Sequence, residues 1–288
     1  MRTVFNPLKH PTCLDFPVWL RHSSWSEHIP FAMYLISALR PRTFVELGIY
    51  HGVSYCAFCQ AAKKLGLDMR SHGVDTWEGD GQSGGMTAEE IGALKAHHDP
   101  LYAGFSEFIR STFDNAAESF SDGSIDLLHI DGLHTYETVK HDFETWLPKM
   151  SDRGMILLHD TNVRQLEFGV WKFWEEVSAR YKHLTFNHGH GLGLLAMGTD
   201  FPEDVRYLLE ADGSELSVIR DFFHQLGARI DAVRQHNVQC EEIARLRTYE
   251  VTMKKSKVIL AYRTLRFEGL GSFINKIRSA SNGSRDQR

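Results

Sequence analysis

The sequence predicts a doubly wound α/β fold: a mostly parallel sheet that ends in an antiparallel hairpin, followed by a helical extension. Three observations predict it. Short apolar runs bounded by turn residues alternate with helical segments between residues 43 and 181. Two further apolar runs, 183–187 and 191–197, lie too close together for a crossover helix, so they pair antiparallel. Beyond Gly198 the strand signal stops and helical spacing replaces it.

In chain order, residues 29–39 read as a helix that Pro41 punctuates. Residues 43–48 form a compact apolar strand, and 53–65 a helix closed by Gly66. A short strand at 70–74 leads to Asp75. The stretch 77–105 is long for a connection and rich in glycine, with a helix ending in His97-His98-Asp99 that reads as solvated. Strands at 106–112, 124–130 and 154–159 alternate with helices at 135–147 and 169–181. Right-handed crossovers make such a series a doubly wound sheet.

The 32 Lys/Arg against 37 Asp/Glu give a net −5, which provides no global attraction to nucleic acid. Four cysteines do not make a disulfide framework, so a reducing, cytoplasmic setting is expected, and Cys56-Ala-Phe-Cys59 reads as core packing. No apolar run is long enough for a membrane span, and no apolar segment follows Met1 as a secretory signal requires. The charge is uneven. Residues 241–288 carry eleven Lys/Arg against five Asp/Glu, or +6, which leaves −11 for the rest.

Domain organisation follows: a covering segment at 1–40, the sheet domain at 41–200 and a helical extension at 201–288 with a basic end. In the extension Ile219, Phe223, Leu226, Ile230, Val233, Asn237, Cys240 and Ala244 keep a 4-3 spacing. That spacing fits a coiled-coil seam, with homodimer or partner docking, and equally an amphipathic helix packed on its own domain. The basic run 245–266, with Lys254, Lys255 and Lys257, reads as a solvated face.

Ligands of an open parallel sheet bind outside the carboxyl ends of its strands. The first strand ends Val45-Glu-Leu-Gly-Ile-Tyr-His-Gly-Val-Ser54, an E-x-G-x-x-x-G-x-S pattern. Gly48 and Gly52 allow a tight turn and close approach of a ligand, and the next helix offers free N–H groups. Asp75 ends the second strand, where a carboxylate suits ribose hydroxyls.

With His-Ile-Asp131-Gly at the end of the fourth strand and the final hairpin, the chain resembles the class I S-adenosylmethionine-dependent methyltransferases over roughly residues 25–200. The similarity is greatest to small bacterial enzymes of surface-glycan and secondary-metabolite type. The resemblance implies a Rossmann-like seven-stranded sheet with the last strand antiparallel. It also implies a cofactor site of Glu46, Gly48, Tyr50, Gly52, Ser54, Asp75, Thr76, Trp77, Thr112, Phe113 and Asp131, with Asp131 next to the sulfonium.

The fourth and fifth strands end in Asp131-Gly-Leu-His134 and His159-Asp160-Thr-Asn162. Adjacent ends bring these acids together as hard ligands for Mg²⁺ or a similar ion. The set resembles that of the metal-dependent catechol-type O-methyltransferases, with Asp131, Asp160 and Asn162 as ligands, although Thr161 separates the last two. His134 falls where those enzymes carry a catalytic lysine, and an imidazole there suits a general base. His188-Gly-His190 reads as a substrate-facing turn and not as a zinc site.

The expected protein is therefore an O-methyltransferase acting on a sugar or other small hydroxylated molecule, with Asp131, His134 and Asp160 catalytic. Two other functions compete with it. One is a non-catalytic assembly module, which requires these side chains to diverge from one pocket. The other is a metal-dependent hydrolase, which requires metal affinity without cofactor affinity.

Overall fold

The computed structural model describes residues 5–263 except 81, 83 and 166, together with 265, 266, 270–272, 274 and 275. Its sheet has seven strands: β1 (Thr43–Leu47), β2 (Arg70–Asp75), β3 (Ser106–Arg110), β4 (Ile125–Ile130), β5 (Met150–His159), β6 (His183–Phe186) and β7 (Leu192–Ala196). They lie in the order β3-β2-β1-β4-β5-β7-β6. Strands β1 to β5 pair in parallel, and β7 runs antiparallel to both β5 and β6. The expected sheet and its terminal hairpin are both present.

Alternation along the strands divides the core in two. Phe44, Leu127, Met155 and Leu157 face a layer that holds α1 (Ile29–Leu39) and α2 (Val53–Lys64). Val45, Leu47, Leu128, Ile130, Ile156 and Leu158 face the opposite layer. There α4 (Phe113–Ala117), α5 (Tyr136–Trp146) and α6 (Val170–Ser178) supply Ala116, Phe143, Trp146 and Phe173. All eleven residues of α1 are buried, which is how a helix apolar on every side must end. Cys56 and Cys59 are free thiols buried in the first layer, so core packing accounts for them.

Between β2 and β3 lies α3 (Ala88–Tyr102), opened by a reciprocal Thr87–Glu90 cap. The expectation of a solvated end fails for His98. That ring is buried and hydrogen-bonds Ser106 Oγ at 2.8 Å, because the end of α3 packs down onto the sheet.

Two helices follow the sheet, α7 (Glu203–Glu210) and α8 (Gly213–Arg263). The chain forms two compact units, Met1–Arg234 and Gln235–Arg288. Residue 200 therefore marks the end of the sheet and not of the first unit. Val205, Leu208, Ile219, Phe223 and Ile230 all enter the first core. Of the 4-3 seam, Ile219, Phe223 and Ile230 thus pack on their own domain, while Val233, Asn237, Cys240 and Ala244 are exposed. The side chains of Lys254, Lys255 and Lys257 and the tail after Ser279 lie outside the described residues.

Phe223 is fully buried and Leu246 is 53% exposed, so truncation separates the two halves of α8. Phe223→Ala should cost about 3–5 kcal/mol of unfolding free energy in urea. Leu246→Ala should stay within about 0.5 kcal/mol.

Candidate active site

A cavity of about 650 Å³ opens at the carboxyl ends of β1, β2, β4 and β5. Of the residues expected at a cofactor site, Gly48, Tyr50, Gly52, Ser54, Asp75, Thr76, Trp77, Thr112, Phe113 and Asp131 line it. Glu46 does not. It lies inside β1, fully buried, and accepts from Ser54 Oγ at 2.6 Å. Its other oxygen lies 3.2 Å from His129 Nδ1, while Trp25 Nε1 donates to His129 Nε2 at 3.1 Å. An indole only donates, so the His129 proton sits on Nδ1, facing Glu46. Burial raises the Glu46 pKa, against the charge and hydrogen bond of His129.

The two turn glycines have structural duties of their own. Both hold positive φ, +86° at Gly48 and +74° at Gly52. A Cβ on Gly48 would meet the Asp131 carbonyl oxygen at 2.1 Å, so the close approach is that of the β4 end and not only of a ligand. Asp75 is likewise engaged in the turn. Its Oδ2 accepts from the N–H groups of Ile49 (2.8 Å) and Tyr50 (2.9 Å), and Oδ1 from Trp77 N at 2.7 Å. Only Oδ1 keeps room for another donor, where both hydroxyls of a ribose had been expected.

The deep end of the cavity holds the acids and imidazoles. His134 Nε2 donates to Asp131 Oδ1 at 3.2 Å and stands 2.8 Å from Asp160 Oδ2. Its backbone N–H bonds the Gln82 side-chain oxygen at 3.0 Å, which identifies that end of the amide as the acceptor. Nδ1 faces the same oxygen at 3.1 Å, so both ring nitrogens carry protons. Burial opposes that charge, but hydrogen bonds to Asp131 and Asp160 raise the pKa to about 9. His134 in this arrangement is an imidazolium, already carrying the proton that a general base would have to accept. Thr135, not His134, caps α5.

A second imidazole completes the set. His159 points Nδ1 at Asp131 Oδ1 (3.2 Å) and Asp160 Oδ2 (3.5 Å), and Nε2 at the Gly189 carbonyl (3.2 Å). Despite burial, the two carboxylates hold its pKa well above the ordinary value. Burial would raise Asp131 and Asp160, but His159 and the hydrogen bonds from the imidazoles hold both well below the usual carboxylate range. His190 adds a bond of 3.1 Å from Nδ1 to Asp160 Oδ1, and its ring lines the cavity. A neutral imidazole that donates from Nδ1 presents its lone pair at Nε2.

Asn162 is not part of this cluster. It is exposed and donates its amide to the Asn187 carbonyl at 3.1 Å, because Thr161 turns it away from Asp160. The set with metal-binding geometry is Asp131, His134 and Asp160, whose ligand atoms lie within 4.8 Å of one another.

Sequence reasoning missed Gln82 and His159, which line the cavity, and Trp25, His28 and His129, which are buried next to it; His190 lines the cavity from the turn read as substrate-facing. His28 Nε2 donates to the same Gly189 carbonyl at 2.9 Å, and burial lowers its pKa well below the ordinary value. A signal existed for His129 and His159, since histidine is out of place in strands as apolar as 125–130 and 154–159.

Residues 45–161 match the family model described as a methyltransferase domain. That segment, which runs from β1 to just past β5, is thus similar to a methyltransferase domain. Over 264 residues the chain is 39% identical to an uncharacterised protein, y4gI, of Sinorhizobium fredii; the match covers 90% of this chain and 28% of that one. The chain therefore spans little more than a quarter of that relative. Among solved structures it is similar to an S-adenosylhomocysteine-bound methyltransferase from Podospora anserina, at 16% identity and a TM-score of 0.42, over 60% of this chain and 78% of that one. It is also similar to a methyltransferase from Geobacter sulfurreducens, at 17% identity and a TM-score of 0.44, over 59% and 78%.

Asp142, on α5 behind Gly132, is 3% exposed and its Oδ2 has no hydrogen-bond partner. Burial raises its pKa to about 7. A carboxyl raised on folding favours the folded state below its unfolded pKa, and that advantage is lost as pH rises toward 7. Asp142→Asn should therefore gain roughly 1–3 kcal/mol on wild type in urea melts at pH 8, and little at pH 4.

Proposed function

We propose that the chain transfers a methyl group from S-adenosylmethionine to a hydroxyl oxygen of a small, sugar-like molecule. One observation carries this reading: the expected cofactor rim and the acid–imidazole cluster share a single cavity. The same convergence counts against a non-catalytic module.

The cavity fits the cofactor in size and chemistry. Its volume is ordinary for a cofactor site. Asp75 Oδ1 has acceptor capacity left for a ribose hydroxyl. Gly52 makes no side-chain cap, so N–H groups at the start of α2 stay free for a carboxylate. When bound, S-adenosylmethionine supplies a methyl carbon already activated by its sulfonium.

What remains for the protein is to place the hydroxyl and take its proton. His190 is the group arranged for that task. Asp160 fixes its tautomer from one side, and the opposite nitrogen is free, the carboxylate–imidazole logic of a general base. Asp131 and Asp160, held ionised, favour developing positive charge on that imidazole. His134, expected as the base, becomes their counter-ion.

A divalent ion would be held by Asp131, Asp160 and, in place of the Nε2 proton, His134, and would supply Lewis acidity toward the acceptor oxygen. With an imidazole where Asn162 was expected, the donor set is softer and suits Mn²⁺ better than Mg²⁺.

Calorimetry with S-adenosylhomocysteine tests the cofactor assignment. Asp75→Ala should weaken binding about tenfold or more, with folding checked by circular dichroism. An unchanged affinity would sink the placement. His190→Gln should leave that affinity within about twofold while lowering methyl transfer by roughly 10²–10⁴.

A further inference from the structure

We propose that the acceptor carries an anionic group, carboxylate or phosphate, which docks on Arg21, His22 and His51 at the mouth of the cavity. This rests on the methyltransferase reading above and deepens it. His22 and His51 line the cavity alongside Ser23 and Ser24. Arg21 is held beside them by a stack. Its guanidinium lies 4.1 Å over the Trp19 ring, and Trp19 in turn stacks with His97 at 4.6 Å. The Trp19 indole N–H is fixed to the His51 carbonyl at 2.8 Å, which ties the stack to the loop after β1. A planar cation packed on an aromatic face is pre-organised, so little side-chain freedom is lost when it binds an anion.

Arg21, His22 and His51 lie close enough to influence one another. Burial lowers the His51 pKa; Glu90 opposes that, while His22 and Arg21 add to it. Glu90 itself is engaged by the N–H and hydroxyl of Thr87, each at 2.8 Å. Among the described residues no carboxylate forms an ion pair with Arg21 or His22. Yet residues 1–234 carry a net −11, so carboxylates are plentiful in this unit. A neutral sugar draws little from such a rim, whereas an anion gains charge-assisted hydrogen bonds and electrostatic steering. A sugar acid or a phosphorylated sugar has the required chemistry.

The test uses the full chain with labelled histidines, loaded with S-adenosylhomocysteine. It is titrated with sodium phosphate and, separately, with sodium acetate at constant ionic strength. Saturable shifts of the His22 and His51 ring resonances are expected. Arg21→Ala should weaken them about tenfold and Arg21→Lys much less. His141, exposed on α5, should not respond. The anion that saturates distinguishes a phosphate from a carboxylate acceptor. Unsaturating drift, equal in wild type and Arg21→Ala, would overturn the proposal. A second arm replaces the loaded ligand with 5′-methylthioadenosine, which lacks the amino-acid carboxylate. Shifts seen with it but abolished by S-adenosylhomocysteine would give the site to the cofactor and also overturn the proposal. Calorimetry that finds no S-adenosylhomocysteine binding would fail the methyltransferase reading alone, since the anion titration of free protein still reads Arg21, His22 and His51.

Discussion

Two carboxylates at neighbouring strand ends need counter-charge, and much of the surrounding structure supplies it. The register of β4 on β5 sets Ile130 beside Leu158, so Asp131 and Asp160 emerge together just beyond. Both are shielded from water, with side-chain exposures of 19% and 6%. Left alone, such a pair would push a proton onto one member. His134 and His159 prevent this by contributing two positive charges against two negative ones. Removing either imidazole would leave a buried charge without compensation, which is costly.

That neutralisation propagates outward. His159 needs an acceptor for Nε2 and takes the Gly189 carbonyl, which places the β6–β7 turn over the site. Gly189, His190 and Gly191 all adopt positive φ in that turn. A Cβ on Gly191 would strike Asn162 N at 2.7 Å, so the turn can sit only where glycine permits it. His28 binds the same carbonyl from the N-terminal segment. Its neighbour Glu27 lies so close to Gly227 of α8 that a Cβ there would meet the Glu27 oxygen at 2.0 Å. Helix α8 therefore holds the segment that carries Trp25 and His28, which is why the first unit extends to Arg234.

The limits of the sequence follow the same line. Strands, the hairpin and the strand-end acids declared themselves through local periodicity and turn residues, which need no knowledge of distant partners. Glu46 misled because it was read as a strand end. It sits one residue inside β1, on the face it shares with Phe44, and that face meets α2 rather than the cavity. Asn162 misled because the strand does not continue through it: Asp160 adopts a positive φ of 59° and Thr161-Asn162 form a turn, so strand alternation no longer sets side-chain direction. Trp25 lies 104 residues from His129 and His28 161 from Gly189. Contacts of that separation are fixed by packing and leave no periodic trace.

The charge of the first unit also acquires a direction. Its deep cluster is balanced, carboxylate against imidazolium, while its mouth holds the Arg21 guanidinium packed on Trp19 beside His22 and His51. A molecule with a hydroxyl at one end and a negative group at the other meets two different environments along the cavity. Its anionic end is drawn to Arg21, while the balanced cluster offers it no net positive charge; its hydroxyl, a neutral donor, is accepted by the carboxylate end. Charge alone then admits it hydroxyl first, toward His190. Orientation of this kind requires no close-fitting pocket, so the loops that form the mouth can vary in shape while the strand ends keep the chemistry.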